Sequence, residues 1–113
     1  MSQPVPPSTG GPAPFPLWGA RIAVLVHAAL LTFEFVTAGQ LVARDPAALP
    51  LHSGGAVALH VAAGAQLAAA LLLWRPGGGS PLLPTLSAAA FALGFVQAYL
   101  GSSLLLDLHV PVA

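Results

Sequence analysis

Charged side chains and thiols are scarce in this chain. Charged residues make up 5% of its 113 residues, lysine and cysteine are absent, and the net charge is zero. Ordinary globular domains carry about a quarter charged residues. The absence of cysteine excludes a disulfide framework and a thiolate metal site. The absence of any excess of basic residues excludes a nucleic-acid-binding surface. We therefore expect no nucleic acid among its partners.

Apolar residues, by contrast, account for 57% of the chain. They form three runs of the roughly 20 residues that a membrane helix needs, at about residues 20–43, 54–75 and 82–106. Backbone polar groups in lipid must be paired within the segment, so these runs are expected to be helices. The predicted fold is an all-α polytopic membrane bundle with three transmembrane helices and the start of a possible fourth.

The ends of these runs define two regions. Residues 1–17 are rich in Pro, Gly and Ser, and we expect a disordered arm there, followed by the bundle over residues 18–113. Ser53 is the predicted N-cap of the second helix, and Pro81 is expected to start the third. The links are short, which favours an up-down arrangement of antiparallel helices.

Polar side chains inside the apolar runs are the first candidates for function. Counted by helical rise from the Arg21 and Arg75 side, Glu34, His60 and Gln97 each lie roughly 20 Å up their helices. We predict that they form one hydrogen-bonded polar layer. Two roles are open for Glu34. It is a group that relays protons or orients a ligand, or it forms an interhelical hydrogen bond that fixes the packing.

Two further features accompany this layer. His27 and Gln66 share a lower level, roughly 10 Å up their helices on the same count. Small residues recur every seven positions in the third helix, at Ser87, Gly94 and Gly101, and we expect close helix packing along them.

His27 and His60 each follow an alanine by four residues, in "AVLVH" and "AVALH". A small residue at that spacing leaves room for a flat macrocycle on the same face of the helix. The pattern resembles the A-x-x-x-H of bacterial light-harvesting polypeptides, in which the histidine ligates bacteriochlorophyll. Each histidine is either a tetrapyrrole ligand of this kind or an interior side chain with its own hydrogen bonds.

A second resemblance covers "LPLHSGGAVALH" and "FVQAYLGSSLLLDLHVPVA". Together these segments look like half of a haem A synthase-type bundle, in which four helices carry one haem between histidines near the starts of the second and fourth. The resemblance implies His52 and His109 as the haem ligands, with haem b as the cofactor and no other metal. Pro111 would then lie in the first turn of a fourth helix.

Three function classes follow. We expect first a structural or accessory subunit of a larger membrane complex, of respiratory or other electron-transfer type, with lipids and other membrane subunits as partners. The second is a bis-histidine haem protein for electron transfer or haem handling, and the third is a proton-path element built on Glu34. No phosphate-binding loop, zinc-protease motif or serine-hydrolase motif is present in the sequence, so an enzyme is disfavoured.

The arginines predict the orientation. Arg21 and Arg75 fall on one side of the membrane and Arg44 on the other, so the positive-inside rule predicts a multi-pass protein of the cytoplasmic membrane with a cytoplasmic N-terminus. Single cysteines at Ser80 and Ser103, in this cysteine-free chain, test the prediction with a membrane-impermeant thiol reagent applied to intact cells. We expect labelling at position 103 alone, and labelling at position 80 would reverse the orientation.

Overall fold

Four helices make up the part of the chain that the structure describes. The structure is a computed structural model that describes residues 14–112, and its helices are α1 (Pro14–Val42), α2 (Ala48–Trp74), α3 (Leu82–Ser102) and α4 (Leu106–Val112). The first three are long and apolar enough to cross a membrane. The predicted all-α membrane fold is confirmed, and the protein is a small integral membrane protein.

Helix α1 begins earlier than the composition predicts. It starts at Pro14, so the last residues of the predicted disordered arm are helical, while residues 1–13 lie outside the described residues. Two prolines, Pro14 and Pro16, stand in its first turn. A proline is tolerated there because the first N–H groups of a helix have no intrahelical acceptor.

Helix α2 also begins earlier, at Ala48 instead of near residue 54, so the predicted cap Ser53 lies inside the helix. The Asp45 carboxylate accepts a hydrogen bond from the Ala47 N–H just before the helix, at 3.0 Å. Pro50 falls in the first turn, where its missing N–H costs nothing. The early start brings His52 into the first turns of α2.

Helix α3 ends at Ser102, before the predicted boundary, and a tight turn leads into α4. Leu104 adopts a left-handed backbone with φ 57°. Its N–H bonds the Gly101 carbonyl at 3.2 Å, and the Leu105 N–H bonds the Leu100 carbonyl at 3.0 Å. This is the Schellman pattern that closes a helix C-terminus. Pro111 therefore lies near the end of α4 and not in its first turn.

The helices form an open row. Helix α1 packs on α2, α2 on α3 and α3 on α4, and within residues 14–112 no Cα atoms of α1 and α3 approach within 8 Å. The buried apolar residues are mostly alanines, such as Ala62, Ala63 and Ala70 on α2. Small side chains let membrane helices approach closely. The large apolar side chains mostly point outward, as lipid contact requires.

One polar cluster joins all three long helices. The His27 Nδ1 of α1 lies 2.7 Å from the Gln66 Oε1 of α2, and the Gln66 amide donates to the Ser87 hydroxyl of α3 at 3.1 Å. The predicted common level of His27 and Gln66 is confirmed. The cluster fixes the order and register of the row through Gln66, which bonds both neighbours.

We expect Gln66→Leu to lower the free energy of unfolding, because it removes two interhelical hydrogen bonds worth about 0.6 kcal/mol each and leaves His27 without its acceptor. Gln97→Leu is the matched control, since both amide atoms of Gln97 are buried without a partner among the described residues. It is expected to be neutral or stabilising. Unfolding of the detergent-solubilised protein, followed by circular dichroism, measures both. An equal loss in the two variants would contradict the assignment of the cluster.

Candidate functional site

A carboxyl group buried between α1 and α2 is the centre of the site. Glu34 is 8% exposed, and its Oε2 lies 3.1 Å from the His52 Nδ1 on α2. The Thr37 hydroxyl oxygen lies 3.0 Å from the same nitrogen. We call Glu34, Thr37 and His52 the Glu34 cluster. It gives the most costly side chain of α1 a polar partner in the apolar interior.

Helical spacing places the two α1 members of the cluster side by side. Glu34 and Thr37 are three residues apart, so they lie on one face of α1, the face turned toward α2. Thr37 is 1% exposed, and its hydroxyl also lies 3.1 Å from the backbone carbonyls of Phe33 and Glu34. Both side chains thus face His52.

Gly55 makes room for the carboxyl group. It is buried on α2 one turn after His52, and a Cβ atom at this position would collide with the Glu34 Oε1. That oxygen has no hydrogen-bond partner among the described residues. A glycine on α2 therefore allows the two helices to close around the carboxyl group.

His52 also faces a second histidine. The ring centroids of His52 and His109 are 6.3 Å apart, and their planes are inclined at 77°. No Cα atoms of α2 and α4 lie within 8 Å of each other in the described residues, so the two rings bridge a gap between backbones. The His109 ring lies against Gly101, where a Cβ atom would approach its Cε1 to 3.1 Å. The sequence expectation that these histidines lie close together is met.

The predicted hydrogen-bonded layer of Glu34, His60 and Gln97 is not formed. Glu34 bonds His52, the His60 Nδ1 lies 2.7 Å from the Ala56 carbonyl of its own helix, and Gln97 has no partner among the described residues. The reason is rotation about the helix axis. Helix α2 turns Gly55 toward α1 and His60 toward Gly94 of α3, and helical rise gives depth without giving this angle.

The remaining histidines are occupied by neighbouring helices. His27 bonds Gln66, as described above. The buried His60 Nε2 lies against α3, where a Cβ atom on Gly94 would come within 3.1 Å of it. The ring of His60 also packs edge-on to Phe95, with centroids 5.0 Å apart. A macrocycle on this nitrogen would require α3 to move away, which disfavours His60 as a tetrapyrrole ligand. Tetrapyrrole binding by His27 stays a prediction.

The donor set around His52 is small. Within residues 14–112 no three His, Asp or Glu side chains are arranged to hold a metal ion. Two facing imidazoles suit a metal whose other ligands come from a macrocycle, as in haem. The Glu34 carboxyl group contacts the Nδ1 of His52, so any influence on a group held by the two histidines would pass through the His52 ring.

Sequence reasoning missed Thr37 and Gly55. A signal existed for Thr37, which follows Glu34 by one turn and so shares its face. For Gly55 none existed, because glycines also stand at Gly54 and Gly64 and only the packing of α1 on α2 distinguishes them.

We expect Gly55→Ala to destabilise the protein by about 1–3 kcal/mol, the usual range for overpacking, because the new methyl group displaces the Glu34 carboxyl group. Gly54→Ala is the matched control, since nothing lies within 4 Å of a Cβ atom there. That substitution is expected to be neutral or to stabilise the helix by up to about 1 kcal/mol. Thermal unfolding in detergent compares them, and equal stability of the two variants would contradict the contact.

Comparisons with known proteins identify no relative of this chain. The chain matches no protein-family model, no curated protein and no solved structure.

Proposed function

We propose that the protein is a haem-binding membrane protein in which His52 and His109 would hold one haem b. The observation that carries the proposal is the separation of 6.3 Å between their ring centroids. Two imidazoles bound on opposite sides of one iron, through bonds of roughly 2 Å each, have centroids roughly 6 Å apart. The observed separation therefore matches the spacing of two imidazoles that share one iron.

The surroundings of both rings support this proposal. Histidines that ligate a metal commonly donate their other ring N–H to a carboxylate, and the Glu34 carboxyl group stands at the His52 Nδ1. The Nε2 of His109 lies against Gly101 of α3, whereas its buried Nδ1 has no hydrogen-bond partner among the described residues. The two histidines lie in α2 and α4, the elements that the resemblance to haem A synthase-type bundles assigns to the ligands. A bound haem would supply one-electron redox chemistry, for electron transfer or haem handling.

The absorption spectrum tests the proposal. The full chain is expressed with a haem precursor, purified in mild detergent, and recorded oxidised and dithionite-reduced. We expect a Soret band with split α and β bands on reduction, lost in His52→Ala and in His109→Ala. His60→Ala is the matched control and should keep the bands, because its Nε2 faces α3.

Two results would overturn the proposal. One is a colourless protein that takes up no haem on titration with haemin. The other is a spectrum that survives His52→Ala or disappears in His60→Ala, which would assign the iron to a different histidine.

We propose as a second candidate that the protein is an accessory subunit of a larger membrane complex, such as a respiratory one. The open row carries this proposal, because no Cα atoms of α1 and α3 lie within 8 Å of each other in residues 14–112 and both helices present large apolar side chains outward. Digitonin extraction of native membranes followed by blue native electrophoresis tests it. Migration with a heavier, colourless complex supports the subunit, and migration as a free small protein opposes it.

The location that fits both candidates is the cytoplasmic membrane with the N-terminus inside, as the arginines predict. A proton path through Glu34 stays a prediction, since the described residues show no hydrogen bond between the Glu34 cluster and the cluster of His27, Gln66 and Ser87.

A further inference from the structure

We infer that Glu34 and Thr37 are positioning residues that hold His52 in the tautomer with the proton on Nδ1, so that Nε2 is the nitrogen free to bind iron. The inference rests on the proposed haem site for the identity of the ligand. It does not rest on haem for the tautomer, which follows from the hydrogen bonds of the chain itself.

The hydroxyl proton of Thr37 decides the tautomer. Thr37 has one hydroxyl proton, and its oxygen lies 3.1 Å from the carbonyl oxygens of Phe33 and Glu34, which can only accept. The hydroxyl therefore donates to its own helix. We therefore assign its contact of 3.0 Å with the His52 Nδ1 as one in which the nitrogen donates and the hydroxyl oxygen accepts.

The carboxyl group points to the same assignment. The Glu34 Oε2 lies 3.1 Å from the same nitrogen, and an ionised carboxylate is an acceptor only. One N–H shared between the Thr37 hydroxyl and the Glu34 carboxylate satisfies both contacts at once. A lone pair on Nδ1 would leave the ionised carboxylate with no proton to accept, and would require the Thr37 hydroxyl to donate away from its helix carbonyls.

His52 differs from the other histidines in this respect. The His60 Nδ1 also bonds an acceptor, the Ala56 carbonyl, but its Nε2 is closed off by α3. The His109 Nδ1 is buried with no acceptor among the described residues. His27 also has its Nδ1 on an acceptor, the Gln66 amide oxygen, and His52 differs from it in facing a second imidazole, that of His109.

The charge of the carboxylate has a second effect on a bound iron. A hydrogen bond from Nδ1–H to a carboxylate makes the imidazole a more basic ligand. A negative group close to the iron also stabilises the oxidised, more positive state. Glu34 should therefore lower the reduction potential of the site, an effect that a purely structural contact would not produce.

Nitrogen NMR of the haem-free full chain tests the tautomer. The protein is labelled with ¹⁵N-histidine in detergent at about pH 8, where a free imidazole is neutral, and His52→Asn identifies the His52 signals. We expect a protonated Nδ1 and an unprotonated Nε2. Glu34→Gln should keep this pattern, because its amide oxygen still accepts. The double substitution Glu34→Leu, Thr37→Val removes both acceptors and should move the proton to Nε2.

Threonine variants keep the test decisive if the double variant fails to fold. Thr37→Val should weaken the Nδ1–H pattern, whereas Thr32→Val is the matched control, since the exposed Thr32 bonds only the Ala28 carbonyl of its own helix. A wild-type His52 with the proton on Nε2, or on both nitrogens, overturns the inference. So does a tautomer that survives loss of both acceptors.

The midpoint potential of the haem-loaded protein is the second readout. Glu34→Gln should keep the spectrum and raise the potential, and an unchanged potential would overturn the effect of Glu34 on the iron. The two proposals fail separately. If the chain takes up no haem, the haem proposal is overturned and the tautomer result is unaffected. If it takes up haem but His52 has the other tautomer, only the present inference is overturned.

Discussion

A carboxyl group inside an apolar helix must find polar partners, and the arrangement around α1 and α2 depends on this constraint. An ionisable side chain within an apolar membrane helix is costly and needs partners inside the protein. Glu34 meets that cost with His52 and Thr37 on one side and Gly55 on the other. Its position therefore determines which turn of α2 lies opposite α1, and it also determines the direction of the His52 ring.

Helix α2 connects the polar features because it lies in the middle of the row. One face carries His52 and Gly55 toward α1, and another carries His60 toward α3. Near its opposite end, Gln66 reaches both neighbours. These contacts divide the interior into separate polar sites at different levels of α2. Only the site at the start of α2 faces a second histidine, and for this reason the proposed function is assigned there.

Hydropathy and helical rise predicted much of this arrangement. The three spans follow from apolar length, and the pairing of His27 with Gln66 follows from equal depth. The nearness of His52 and His109 came from a family resemblance. Helix ends were less predictable: Ser53 and the prolines around it indicated a link, whereas the Asp45 carboxylate and the tolerance of Pro50 in a first turn allow α2 to start at Ala48.

The sequence did not predict the partner of Glu34, for a different reason. Depth along a helix follows from counting residues, but the direction in which a side chain leaves the axis depends on how two helices rotate against each other. Mostly alanine surfaces constrain that rotation weakly, since no large side chain marks the contact face. The choice between His52 and His60 as partner therefore depends on Gly55, whose significance only the packed helices reveal.

The turn at Leu104 makes the two histidines unequal in how firmly they are held. His52 belongs to α2 and is bonded to α1, whereas His109 sits on a seven-residue helix whose backbone packs on α3 alone among the described helices. Opening of α4 would leave the contacts among α1, α2 and α3 in place, and local opening of this kind costs less than global unfolding. At the proposed haem site, His109 would therefore be the less firmly held of the two histidines.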